Sequence, residues 1–267
     1  MADADAGQDA DHGLLVRRDG AVLRLVLDRP QARNALTPGL ADRLAGVLED
    51  TVADDDVRVV VLTGSGGAFS AGADVGEGSA ALDEAAVERA NRIVRAVVRL
   101  DKPVVASVNG VAAGFGCSLA LAADLVLAAE SASFLLPFTR LGLMPDGGAT
   151  TTLAASLGRA RTMRLALLAE PLPARTAYDA GLVSLLVPDD ELADATDEVA
   201  RRLAAGPPLA LAATKRAVNA ATLVGPTGLD PALERERVGQ TMLLRTADAA
   251  EGLAAFREKR APDFSGS

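Results

Sequence analysis

Residues 59–74 read VVVLTGSGGAFSAGAD, and no other stretch constrains the fold as much. The apolar run is short, rich in Val and closed by Gly, so it reads as a buried strand, over residues 57–63. The glycines that follow admit positive φ and let another group come close to the backbone. After them, Phe69-Ser70-Ala71-Gly72-Ala73-Asp74 offers main-chain N–H groups more than side chains. Donors fixed in this way suit an oxyanion.

The rest of the chain alternates between strand and helix signals. Residues 14–18 and 21–27 read as strands around Asp19-Gly20, a type I′ hairpin signal. Pro30 ends the second strand. Thr37-Pro38 is an N-cap followed by Pro at the first helical position, and predicts a helix to about residue 53. Residues 75–83 are expected to form a mobile loop. Helices are then expected over 84–100, from near Gly114, over 147–157 and 159–168, and over 174–180, where Gly181 is a stop. Strands are expected over 103–108, 124–128, 133–136 and 182–187. From Pro188 on the pattern is helical, broken at Gly206-Pro207-Pro208 and Gly225-Pro226. Alternating strands and helices predict an α/β fold with a largely parallel sheet. The helix-only final third predicts a helical subdomain. Residues 1–13 form a polar tail, expected to be disordered, 14–190 the core, and 191–267 the helical C-terminal part.

Composition excludes several kinds of chemistry. The net charge of −9 argues against nucleic acid or an anionic membrane as partner, and Trp is absent. No apolar run of membrane-spanning length and no leader pattern is visible, so a cytoplasmic protein is expected. One cysteine cannot form an internal disulfide or a Cys-based metal cage. The one histidine, His12, lies in the polar tail, which removes Ser-His-Asp, Cys-His and His-ligated metal sites from consideration. No metal is expected. The glycine clusters complete neither a P-loop, which needs Lys-Ser/Thr, nor G-x-G-x-x-G.

Five segments together resemble the crotonase family, the enoyl-CoA hydratases and isomerases. They are LDRPQARNAL at 27–36, the stretch at 59–74, KPVVASVNGVAAGFGCS at 102–118, LGLMPDGG at 141–148, and the C-terminal pattern from Glu251-Gly252 through Phe256 to KRAPDF at 259–264. They come in family order and cover about residues 14–265. The resemblance implies a crotonase-like spiral of ββα units with a helical C-terminal subdomain that packs at trimer contacts. It implies an acyl-CoA thioester as substrate, with coenzyme A entering as part of that substrate and no separate cofactor. It also implies a homotrimer or a dimer of trimers.

On the resemblance, the N–H groups of Ala73 and Phe115 form an oxyanion hole for the thioester oxygen. The bland alternative is that the glycines only make tight turns. Family members often carry Gly where Phe115 stands, so its ring must find room. Hydratases of the family use two glutamates, and the matching positions here are Ser118 and Phe138. Asp146 matches a carboxylate that handles a proton in isomerase-type relatives. It is equally a residue that caps helices well. Cations for the CoA phosphates would be Arg29 and Arg33, with backbone near Ala71 and Ala73 around the adenine. Lys259 and Phe264 match positions that can reach a neighbouring subunit's CoA. Each of these cations is otherwise an ordinary surface charge. Asp74 is expected to hold the loop after the hole, and Glu77 is a substitute acid. Phe138 is expected to line the acyl pocket. Arg140 is expected to be a surface or interface charge and Cys117 a packed, inert thiol.

Three functions remain open from these residues: a double-bond isomerase using Asp146, a hydratase with substitute acid–base groups, and an acyl-CoA-binding protein without chemistry.

Overall fold

The structure, a computed structural model, describes residues 9–76, 83–225 and 228–267. It begins with an antiparallel meander of β1 (Asp9–Asp11), β2 (Leu14–Asp19) and β3 (Val22–Leu27). The tail expected to be disordered to residue 13 is thus partly ordered, because β1 pairs with β2, Asp9 lying opposite Val16. The β2–β3 turn is one residue later than expected: Asp19 pairs with Val22, and Gly20-Ala21 make the two-residue loop. Helix α1 (Pro38–Asp50) starts where the sequence predicts, with the Thr37 hydroxyl accepting from the Leu40 N–H at 3.2 Å.

Three strand–strand–helix units follow. The first is β4 (Val59–Gly64), β5 (Ala68–Ser70) and α2 (Glu84–Arg99). The second is β6 (Val104–Val108), β7 (Val111–Ala113) and α3 (Phe115–Ala122). The third is β8 (Leu125–Ala129), β9 (Ser133–Leu135) and α4 (Ala149–Leu168), the last broken at Gly158 as the sequence predicts. β10 (Leu172–Pro173), α5 (Ala174–Asp179) and β11 (Leu185–Val187) complete the core. The first strand of each unit joins a seven-stranded sheet ordered β1-β2-β3-β4-β6-β8-β11, parallel from β3 onward. The second strand joins a four-stranded sheet ordered β10-β9-β7-β5. Each unit repeats one step of the spiral. β4 and β6 are buried along nearly their whole length, which is why they read as unbroken apolar runs. β5 and β7 are only three residues long, too short to carry a readable period.

The helices α6 (Leu192–Ala204), α7 (Pro208–Thr222), α8 (Leu229–Leu243) and α9 (Ala247–Glu258) pack back on this core. α6 lies on β3, β4, β6 and β8. α7 is tied down by the buried Lys215, whose ammonium donates to the Val97 carbonyl at 2.9 Å and pairs with Asp124 at 2.8 Å. α8 reaches α2 and α4, and α9 packs on the turn Phe138–Leu141. Among the described residues no helix is long and apolar enough to cross a membrane.

Candidate active site

The loop after β5 is pinned by backbone and by one buried amide. Asn34, fully buried, accepts from the Arg29 N–H at 2.9 Å and donates to the carbonyls of Ser65 and Ala68 at 2.9 and 2.8 Å. The Asn34 carbonyl accepts from the Ser70 hydroxyl, which in turn accepts from the Gly72 N–H. Leu36 bridges the next stretch, donating to the Gly72 carbonyl and accepting from the Asp74 N–H at 2.7 and 3.0 Å. Ala73, between them, keeps its own N–H without an acceptor among the described residues. Asn34 was not singled out in the sequence; its LDRPQARNAL context was the only signal.

The second N–H belongs to Phe115, the first residue of α3, and it too has no acceptor among the described residues. The two loops touch. A Cβ placed on Gly72, at φ +91°, would lie 2.8 Å from the Ala113 carbonyl and 3.0 Å from the Phe115 nitrogen. Only glycine fits there, because a side chain would fill the space between the two strands of backbone. The Phe115 ring has its room at Gly147, where an added Cβ would meet the ring at 2.9 Å.

Ala73, Asp74, Phe115 and Asp146 line one cavity, with Leu36, Leu143 and Gln240 among the other walls. Asp146 is buried, and its Oδ1, itself buried, has no hydrogen-bond partner among the described residues. Its Oδ2 faces the Gln240 amide at 3.4 Å. Burial, and next the neighbouring Glu236 carboxylate, push its pKa up to about 7. The carboxylate does not cap α4. Glu236 does so from α8, accepting from the Gly148 N–H at 2.6 Å and the Thr150 N–H at 3.0 Å. Burial raises the Glu236 pKa as well, with the bonds from Thr150 and Gly148 acting against it. Neither Glu236 nor Gln240 was foreseen, because α8 carries no motif and lies about 90 residues from Asp146 in sequence.

The two positions that match hydratase glutamates are otherwise engaged. The Ser118 hydroxyl donates to the Asp146 carbonyl at 2.8 Å. Phe138 is buried in the hydrophobic core, is not among the residues that line the Asp146 cavity, and lies on a 3-10 turn that packs on α9. Asp74 holds its loop, its carboxylate 2.8 Å from Arg29, which also donates to the Ala35 carbonyl. Burial works to raise the Asp74 pKa, but the Arg29 guanidinium and the Gly76 N–H outweigh it and hold the group low. Arg29 is therefore spoken for within the chain. Arg33 is exposed, in a left-handed conformation, and its carbonyl accepts from the Ala71 N–H at 2.8 Å. Lys259 caps α9 and is exposed, and Phe264 lines a groove with Leu167, Leu168 and Phe256; neither lines the Asp146 cavity. Arg140, exposed, donates to the Ala169 carbonyl on the rim of that groove. Glu77 lies outside the described residues. Cys117 is buried, and burial pushes its thiol up to about 12.

Two free N–H groups and one raised, half-unpaired carboxylate around one apolar cavity can stabilise an oxyanion and move a proton beside it. The sequence profile of the enoyl-CoA hydratase/isomerase family matches residues 17–267. The chain is 41% identical over 260 residues to the 1,2-epoxyphenylacetyl-CoA isomerase of Escherichia coli, covering 95% of this chain and 98% of that one. It is 43% identical over 245 residues to a probable enoyl-CoA hydratase of Rhodobacter capsulatus, covering 91% and 93%. A crystal structure of an enoyl-CoA hydratase from Mycobacterium avium subsp. paratuberculosis superimposes with a TM-score of 0.88 at 45% identity, over 95% of this chain and 98% of that one. The chain belongs to the enoyl-CoA hydratase/isomerase family.

Proposed function

We propose that the protein shifts the double bond of an acyl-CoA thioester by proton transfer through a single carboxylate, Asp146. The observation that carries this reading is the pairing of an acid with two empty positions. Ser118 and Phe138 supply no carboxylate where a hydratase has its glutamates, while Asp146, its buried Oδ1 unpaired among the described residues, lines the cavity that Ala73 and Phe115 also line. The isomerase relative at 41% identity supports it.

In this reading the substrate thioester oxygen lies against the N–H groups of Ala73 and Phe115. Asp146 Oδ1 takes a proton from C2 of a 3-enoyl-CoA. The electron pair passes to the thioester oxygen, where the two donors hold the dienolate. One such donor is worth roughly 3–4 kcal/mol in acyl transfer. The proton then returns to C4, the double bond comes to rest between C2 and C3, and Asp146 is again ionised. No oxidant, metal or further cofactor enters the balance. A base for this step works best with a pKa near the working pH, and a value of about 7 meets that condition. The CoA portion lies outside the cavity, with Arg33 as a phosphate contact and Lys259 and Phe264 reaching it from a neighbouring copy in a trimer or dimer of trimers.

Two incubations test the reading, followed by ultraviolet absorbance and mass spectrometry. Purified protein receives a 3-enoyl-CoA in one and a 2-enoyl-CoA in the other. Conversion of the first to the conjugated isomer without hydration of the second is the expected result. Hydration of the second at a comparable rate would overturn it in favour of a hydratase in which Asp146 activates water. Silence in both with CoA esters still bound would leave a binding protein.

A further inference from the structure

We propose that Gln240 and Glu236 are positioning residues for Asp146, two side chains of α8 that hold its carboxylate at the wall of the cavity. The proposal rests on the reading of Asp146 as the proton carrier.

One face of α8 holds the loop that bears the carboxylate at successive points. Glu236 and Gln240 are four residues apart, so they stand one above the other on the helix. Gln240 accepts from the Met144 N–H at 3.0 Å, which fixes the oxygen end of its amide. The NH2 end is then left to face Asp146 Oδ2, at 3.4 Å. That contact is long, as such contacts often are before substrate is bound. Glu236 takes the N–H groups of Gly148 and Thr150 and the Thr150 hydroxyl. Residues 144, 146, 148 and 150 are thus held by two side chains. Among the described residues Oδ2 faces Gln240 and the Asp146 carbonyl accepts from Ser118, which leaves the buried Oδ1 as the carboxylate oxygen without a partner. The Gln240 donor favours the ionised carboxylate, and the Glu236 charge behind it favours the protonated one. The two residues act on Asp146 in opposite directions.

The other charged groups around the cavity are engaged elsewhere. Asp74 pairs with Arg29, Asp83 caps α2 through the Ala86 N–H, and Arg89 on α2 pairs with Asp42. Cys117 on α3 is buried and neutral, and Arg235 stands beside Glu236 on α8.

The test reads the carboxylate directly, by carbon NMR of protein labelled at the aspartate carboxyls. Asp146→Asn deletes one resonance and so assigns it. Gln240→Met, which keeps the length and removes the donor, is expected to raise the titration midpoint by about one pH unit. Gln240→Glu is expected to raise it further. Glu236→Gln is expected to lower it by about one pH unit. In turnover, Gln240→Met is expected to cost about tenfold in kcat with little change in KM. A purely structural role would leave the midpoint in place while melting temperature fell. Midpoints unmoved in both Gln240 variants would overturn the proposal, whether or not Glu236→Gln folds. Unchanged turnover in Asp146→Asn would instead overturn the proposed function.

Discussion

The wall of the cavity that carries Ala73 and Phe115 is made of backbone, whereas the wall that carries Asp146 is made of side chains reaching across from α8. The first is built from neighbours. Asn34, Leu36, Ser70 and the β5 and β7 loops fix it within the N-terminal half, and glycine at 72 keeps it open. The second is assembled across a long separation, Gln240 to Met144 and Asp146, Glu236 to Gly148 and Thr150. Fixed backbone dipoles cost no reorganisation during reaction, which suits the stabilisation of charge. A buried carboxylate held by side chains has an adjustable proton affinity, which suits the transfer of a proton. On the proposed reading, that division of labour matches the chemistry asked of each wall.

The comparison is broken most sharply at Asp146. Asp146→Asn is expected to lower kcat by about a thousandfold while leaving the Kd for a CoA ester nearly unchanged, as steady-state kinetics and calorimetry would measure. Gly72→Ala attacks the other wall. Its Cβ would press on the Ala113 carbonyl and the Phe115 N–H, and about a hundredfold loss in kcat is expected, with a lower melting temperature. If the second loss were negligible, the backbone wall would be only a tight turn.

The side-chain wall also predicts a trade between stability and function. Asp146 and Glu236 both hold their protons more tightly folded than unfolded. As pH rises, the unfolded chain releases those protons first, so folding weakens between the ordinary carboxylate pKa of about 4 and the folded value for Asp146 of about 7. Above that window the part of the loss due to Asp146 is complete. Asp146→Asn, inactive on the proposed reading, is thus expected to be more stable than the natural protein at pH 8, by up to about 4 kcal/mol for a window of about three pH units, with little gain at pH 4. Denaturant melts at the two pH values check this. The same window gives the direction of activity: the base is ionised above about pH 7, and kcat/KM falls below it. The smallest effect is expected for Ser118→Ala, which removes one buried hydrogen bond to the Asp146 carbonyl, about 1 kcal/mol of stability and only a few-fold in rate. A large rate loss there would make Ser118 part of the chemistry.

The same contrast explains what was legible in the sequence. The strands β4 and β6, the Thr37 cap, the break at Gly158 and the two helix breaks in the final third all carry local signals, apolar runs, caps and glycines. The backbone wall was legible for the same reason, since Gly72 and Gly114 mark it. The β5 and β7 strands were not, because three residues make no period. Asp146 could be named but not distinguished from a helix cap until Glu236 was found in the capping place. Phe138 carried no local signal of its packing, because the core that buries it is assembled from distant elements.

The reach of α8 across the chain has a consequence for how the protein is made. Chains are synthesised from the N-terminus, and the segments carrying Ala73, Phe115 and Asp146 leave the ribosome well before residues 236 and 240 exist. On the proposed reading, the two side chains that hold residues 144–150 are thus the last parts of the site to be synthesised.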